Sequence, residues 1–134
     1  MMILLNDVRF NRALMLTFCA IIFTLSSIPG TSYPEIDIPS IDKSIHILLY
    51  MPFGLLIQNM ARLTHGRLPF YIKWLTVMTL FAALDEVHQY FVPNRSCDIV
   101  DYIFDNMGML LGIFLLKYFI FYTKHYQATH NNGI

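Results

Sequence analysis

Charged side chains are scarce in this sequence: only 13% of its 134 residues are Asp, Glu, Lys or Arg, against roughly 25% in an average soluble protein. A soluble domain of this size needs more charge to cover its surface, whereas a lipid bilayer removes that need. The formal net charge is +0, so the charge balance indicates neither a basic surface for binding nucleic acid nor an acidic disordered tail. The composition therefore excludes nucleic-acid binding and favours an integral membrane protein.

Cysteine is also scarce, with two residues in the chain. Cys19 lies inside an apolar run and Cys97 in a polar junction, so the two thiols are not expected to pair. No Ser or Cys stands beside an obvious base in the sequence, which weighs against catalysis through a covalent intermediate. The sequence thus predicts neither a disulfide framework nor a nucleophilic enzyme.

Apolar residues make up 56% of the chain, and they form four runs near the roughly 20 residues that a helix needs to cross a bilayer. The runs cover residues 13–28, 44–61, 70–92 and 99–122. We expect an all-α membrane protein whose single domain, residues 1–126, is a compact bundle of four transmembrane helices, followed by a disordered cytoplasmic tail, residues 127–134. The first run also fits a cleaved signal peptide, but three further spans follow it closely and favour a retained helix.

The basic residues gather at one end of this four-helix arrangement. Seven lie at the end that the two termini share, namely Arg9, Arg12, Arg62, Arg67, Lys73, Lys117 and Lys124, and only Lys43 and Arg95 lie at the other. Lys and Arg in short loops favour the cytoplasmic side, so both termini are predicted to be cytoplasmic. The acids other than Asp7, including Glu35 and Asp37, lie at or near the outer end.

Ionisable side chains form a stripe on the outer half of each of the last three predicted helices. An ionised group in hydrocarbon costs at least about 2.5 to 3.5 kcal/mol on insertion scales, so such groups normally face protein or water. The stripes are Asp42, His46 and Tyr50 on the second helix; Asp85, His88 and Gln89 on the third, with Glu86 about 100° away; and Asp98, Asp101 and Asp105 on the fourth. The pattern predicts a polar pocket between these three helices, open to the outer face.

Two other features accompany the stripes. Gly108 and Gly112 form a small-xxx-small pair, which predicts close packing of the fourth helix against a neighbour. Arg95, in the polar junction before the fourth helix, is a candidate counter-ion for the acids or a clamp for a phosphate or carboxylate, and Lys43 is a second candidate clamp.

The polar residues and their spacing resemble those of the VanZ-like family of bacterial membrane proteins. The matching residues are Ser26, Ser27, Ile28, Pro29, Asp42, Lys43, His46, Tyr50, Gly54, Asp85, Glu86, Gln89, Pro93, Arg95, Asp98, Asp101, Gly108 and Gly112. The resemblance implies a multi-pass protein of the bacterial cytoplasmic membrane, in a family named after a protein associated with teicoplanin resistance and without a settled biochemical activity. One position departs from the pattern, because Asp105 stands where an Asn is expected and Asn106 follows it.

We expect the pocket to recognise a cell-envelope lipid, or a lipid-linked glycan or cell-wall precursor. If the protein is an enzyme, we expect it to modify the same molecule. The candidate acid and base groups of an enzyme are Asp42, His46, Asp85 and Glu86. The candidate ligand-binding residues are Lys43, Tyr50, Gln89, Arg95, Asp98 and Asp101.

Three alternatives stay open at this point. The polar residues could pair with one another and only hold the helices together. They could bind a divalent metal such as Zn²⁺, Mg²⁺ or Mn²⁺, although the sequence contains no known metal-binding spacing and identifies no cofactor. They could also relay protons in a transporter, for which four short spans would have to assemble into an oligomer.

Overall fold

The computed structural model describes the backbone of residues 6–32 and 41–131, with side chains up to residue 127. It contains four helices, α1 (Val8–Ser26), α2 (Ile41–Thr64), α3 (Leu68–Gln89) and α4 (Ile99–Asn131), and a short 3₁₀ turn at Gly30–Ser32. All four helices are long and apolar enough to cross a membrane. The predicted all-α fold with four spans is confirmed, while Glu35, Asp37 and residues 132–134 lie outside the described residues.

The helix boundaries follow local capping signals. α1 begins before its apolar run because Asp7 caps it, accepting a hydrogen bond of 2.7 Å from the backbone N–H of Arg9. α3 ends at Gln89, before the predicted limit, and residues 90–94 form turns. α4 continues to Asn131, so residues 127–131 of the predicted disordered tail are helical.

Helices that follow each other in the chain run antiparallel, whereas α2 and α4 run parallel to each other. Asn59 near the end of α2 donates to Asn11 near the start of α1 (2.9 Å), whereas Lys43 at the start of α2 contacts Asp98 at the start of α4 (3.0 Å). The start of α1 and the end of α4 therefore lie at the same end of the bundle. All seven basic residues assigned to the cytoplasmic side belong to that end.

The core is centred on α2, whose inward face is aromatic and aliphatic. Its buried apolar residues and their partners on the other helices are Tyr50, Phe53, Ile57 and Met60 of α2, Met109 and Ile113 of α4, Met15 and Ile22 of α1, and Met78 and Ala82 of α3. Large apolar side chains are also left exposed on the outside of every helix, among them Leu16, Leu48, Leu84 and Phe114. Apolar surface of this extent on all sides suits contact with lipid rather than water.

Three glycines let the backbones of α2 and α4 touch. A Cβ atom added to Gly54 would lie 1.9 Å from the carbonyl oxygen of Met109, and one added to Gly112 would lie 2.2 Å from that of Met51. Gly108 faces the carbonyl of Ile47 in the same way, at 2.4 Å. The predicted close packing at Gly108 and Gly112 is thus found, and Gly54 supplies its counterpart on α2.

The loops at the other end of the bundle, where α1 and α3 end, are joined as well. The N–H of Gly30, after α1, donates to the carbonyl oxygen of Pro93 in the connection between α3 and α4 (3.1 Å). A Cβ atom on Gly30 would lie 1.8 Å from the carbonyl oxygen of Asn94, a residue that itself has a positive φ of 57°. This contact fixes the end of α1 beside the end of α3.

We expect Gly54→Ala and Gly112→Ala each to lower the free energy of unfolding in detergent by about 1 to 3 kcal/mol, and with it the melting temperature. The reason is that the added methyl group meets backbone atoms that cannot rotate away. Alanine in a helix interior would otherwise stabilise by about 1 kcal/mol, so the predicted sign is opposite to the propensity effect. Leu110→Ala, on the lipid-facing side of α4, is the control. Unchanged or raised melting temperatures for both glycine variants would contradict the close contact.

Candidate functional site

The ten candidate site residues lie at one end of the bundle, where α1 and α3 end and α2 and α4 begin. They form two groups that share Asp42 and His46. One group is an ion network between α2 and α4, and the other lines a cavity between α1, α2 and α3.

The ion network is built around Lys43 in the first turn of α2. Its ammonium group lies 3.0 Å from a carboxylate oxygen of Asp98 and 3.1 Å from one of Asp42, and it also pairs with Asp101. Three carboxylates thus occupy the three donors of the ammonium group. We therefore revise the role expected of Lys43, since a side chain engaged in this way is not available to clamp a phosphate.

Asp98 also caps the start of α4, accepting a hydrogen bond of 2.8 Å from the backbone N–H of Val100. This hydrogen bond, together with the hydrogen bond from Lys43, lowers the pKa of Asp98 below its ordinary value. The carboxylate of Asp98 is therefore ionised at neutral pH, and its negative charge interacts favourably with the positive end of the dipole of α4.

His46 continues the network one turn deeper. Its Nδ1 lies 2.8 Å from Oδ1 of Asp105, and its Nε2 lies 3.6 Å from Oδ2 of Asp101. A carboxylate accepts hydrogen bonds, so Nδ1 is the donor of the first pair and the ring is held in one orientation. Asp105 is only 1% exposed, and it is a buried acid that is not among the predicted site residues.

Two adjacent acids at the end of α3 point to different neighbours. Asp85 accepts a hydrogen bond of 2.6 Å from the hydroxyl of Ser26 on α1, whereas Glu86 accepts one of 3.0 Å from the backbone N–H of Asp98. The side-chain amide of Gln89 lies 3.4 Å from Asp85 and 3.3 Å from Glu86, between the two carboxylates. Both acids are buried despite their different directions, because α3 ends between α1 and α4.

A cavity of about 480 Å³ lies on the other side of α2. Its lining contains Ile22, Leu25, Ser26, Ile41, Asp42, Ile45, His46, Leu49, Tyr50, Asp85, Gln89 and Arg95. Six of the ten candidate residues are in this set, and Lys43, Glu86, Asp98 and Asp101 are not. The expected pocket between the second, third and fourth helices is therefore corrected: α1, α2, α3 and the connection after α3 form the cavity, and none of the lining residues belongs to α4.

Two buried polar atoms beside these groups have no hydrogen-bond partner among the described residues. They are the hydroxyl of Tyr50 and Oδ2 of Asp105, each on a side chain 1% exposed. Buried polar groups normally have a partner, because an unpaired one loses its hydration without compensation. Both atoms therefore mark places where a water molecule or a ligand would be stabilised.

The contribution of α1 to the site was not predicted from the sequence. Ser26 binds Asp85, and its neighbour Ser27 lies 3.0 Å from Nε2 of His88, whose ring stacks on Phe23. The two serines were visible as a helix end, but nothing in their spacing indicated contact with α3. Asp105 was visible too, as a departure from the family pattern, and its pairing with His46 gives it a place in the site.

The fold and the site define a multi-pass helical membrane protein with ionisable groups gathered inside one end of the bundle. Residues 9–122 match the family model described as VanZ/LLP1, and the chain belongs to that family. The resemblance to VanZ-like proteins is thereby confirmed. No curated protein and no solved structure matches the chain.

Ser26→Ala is expected to destabilise the protein by about 1 to 3 kcal/mol, since it removes the short hydrogen bond to a buried carboxylate. Thermal unfolding in detergent measures the effect, and Thr24→Ala is the control, because this exposed hydroxyl contacts only its own helix, at the carbonyl oxygen of Ala20. Adding Asp85→Asn to Ser26→Ala should recover part of the loss, because a neutral amide costs less to bury than a carboxylate. Equal losses for Ser26→Ala and Thr24→Ala would count against the contact.

Proposed function

We propose that the cavity binds the head group of a cell-envelope lipid or lipid-linked glycan at the outer leaflet of the bacterial cytoplasmic membrane. The observation that carries this proposal is the mixed lining of the cavity. Aliphatic side chains from α1 and α2 surround polar groups of Ser26, His46, Tyr50, Asp85 and Gln89. An apolar wall with a few convergent polar groups is typical of a small-molecule site.

Access from the bilayer is supported by side chains that belong both to the cavity and to the outer surface. Ile45 lines the cavity and is 44% exposed, and Leu25 is also exposed. These residues lie where the outside of the bundle faces lipid. A lipid could therefore enter sideways, with its acyl chains remaining in the membrane.

The charges of the lining favour a particular head-group chemistry. Asp42 and Asp85 are acids, whereas Arg95 is the one Lys or Arg side chain in the lining. Carboxylates accept hydrogen bonds from hydroxyl and ammonium groups, and a guanidinium group binds a single phosphate or carboxylate well. A glycosylated or amine-bearing head group with one anionic group suits this set better than a bare phosphate does.

We expect Ile45→Trp to reduce co-purifying lipid several-fold by filling the cavity. Leu48→Trp is the matched control, because it places the same bulk on the same helix at a position that is 61% exposed and outside the cavity lining. Mass spectrometry of lipids retained after gentle detergent extraction is the measurement, and Arg95→Ala should shift the retained species away from anionic head groups. Equal lipid profiles for Ile45→Trp, Leu48→Trp and the unmodified protein would refute the proposal.

Modification of the bound head group is a second candidate function. It is supported by the pair of His46 and Asp105, since an imidazole in a cavity with its other nitrogen held by a carboxylate is the usual arrangement of a general base. In the same lipid measurement, an active enzyme should co-purify with its product, and the His46→Gln variant should co-purify with the unmodified precursor. A binding protein should carry the same species in both forms.

We infer from the basic residues that the site faces outward and both termini face the cytoplasm. Cys97 is exposed beside the site, whereas Cys19 lies within α1. A membrane-impermeant thiol reagent should therefore label Cys97 on intact spheroplasts. It should label a Cys97→Ser, His125→Cys variant only after the cells are opened, and the reverse pattern would overturn the orientation.

A further inference from the structure

We propose that His46, Glu86 and Asp101 bind Zn²⁺ or a similar divalent transition-metal ion between α2, α3 and α4. Each residue offers one ligand atom, and the three atoms lie within 4.8 Å of one another. The residues come from three different helices, so no sequence spacing could have indicated the set. Imidazole with two carboxylates is a ligand set that such ions accept.

The orientation of His46 suits a metal ligand. Asp105 holds Nδ1 at 2.8 Å, and this directs Nε2 toward Asp101. Histidines that bind metals usually donate their other ring N–H to a carboxylate or carbonyl, which fixes the tautomer and raises the basicity of the ligating nitrogen. Asp105 thus has the position of a supporting residue rather than of a ligand.

The spacing of His46 and Asp101 fits a shared ion better than a direct contact. Their nearest atoms are 3.6 Å apart, which is too long for a hydrogen bond. Two ligands on a tetrahedral Zn²⁺, each about 2.0 to 2.1 Å from the ion, lie about 3.4 Å apart. The other oxygen of Asp101 pairs with Lys43, so the carboxylate can serve the lysine and an ion at once.

The unpartnered atoms are an independent sign that a group belongs here. Oδ2 of Asp105 is buried without a hydrogen-bond donor among the described residues, although Oδ1 of the same carboxylate binds His46. The hydroxyl of Tyr50, four residues after His46 on α2, is buried without a partner as well. A metal-bound water could supply the hydrogen bonds that these atoms lack.

The charge of the site points the same way. Six carboxylates gather at this end of the bundle, on Asp42, Asp85, Glu86, Asp98, Asp101 and Asp105, whereas Lys43 and Arg95 are the two permanent cations. An excess of ionised acids is costly in a low-dielectric surrounding. A divalent cation bound to His46, Glu86 and Asp101 would offset two of these charges.

The test uses tag-free full-length protein in detergent, loaded with Zn²⁺ and passed over a desalting column. Elemental analysis should find about one zinc per folded chain. His46→Gln and Asp101→Asn should each reduce the retained zinc at least tenfold, and Asp105→Asn should weaken affinity about tenfold by releasing the ring. His88→Gln and Asp42→Asn are controls of the same residue types at the same end, and both should retain the ion.

Substitution with Co²⁺ gives a readout that needs no variant. The wild-type protein loaded with Co²⁺ should show visible ligand-field absorption typical of a site with a nitrogen ligand. This absorption should disappear when Zn²⁺ displaces the Co²⁺. Folded wild-type protein that retains far less than one zinc per chain and gives no cobalt spectrum would overturn the metal site. Zinc loss in His88→Gln as large as in His46→Gln would overturn it too. Neither result depends on the lipid measurement, so the metal site and the lipid-binding proposal can fail separately.

Discussion

The backbones of α2 and α4 touch at Gly54, Gly108 and Gly112, and the polar end of the bundle depends on that contact. Helices in a bilayer gain little from burying apolar surface against each other, because lipid is as apolar as their side chains. Close backbone contact therefore sets how the two helices are aligned. In this alignment Lys43 and His46 of α2 lie opposite Asp98, Asp101 and Asp105 of α4, so basic and acidic side chains of the two helices pair.

The pairing is also what makes so many ionisable groups tolerable in a membrane protein. An isolated carboxylate at this depth would favour leaving the helix bundle for water, whereas one that accepts several hydrogen bonds is stabilised in place. Asp85 depends in the same way on the hydroxyl of Ser26, a contact between α1 and α3 that adds to those of Ser27 and Phe23 with His88. Helix packing and polar pairing consequently support each other at the polar end of the bundle, where the loops are joined at Gly30 as well.

This arrangement separates two environments on the two sides of α2. Toward α4, acidic and basic side chains are paired with one another. Toward α1 and α3 there is a cavity with aliphatic walls and a polar lining. Two side chains belong to both environments. His46 lines the cavity and binds Asp105, and Asp42 lines the cavity and pairs with Lys43.

The sequence by itself determined the class of the protein, the four spans, the family and the end of the bundle at which the polar residues gather. The class, the spans and the polar end follow from composition and from helical periodicity, which are local, and the family follows from the resemblance of individual residues and their spacing. Only the tertiary structure decided that Ser26 contacts Asp85, that Lys43 is occupied by three carboxylates, and that the cavity lies beside α1 instead of α4. Periodicity gives the face of a helix on which a residue lies, but the neighbour of that face is set by close packing at glycines and by loop contacts between residues far apart in the chain.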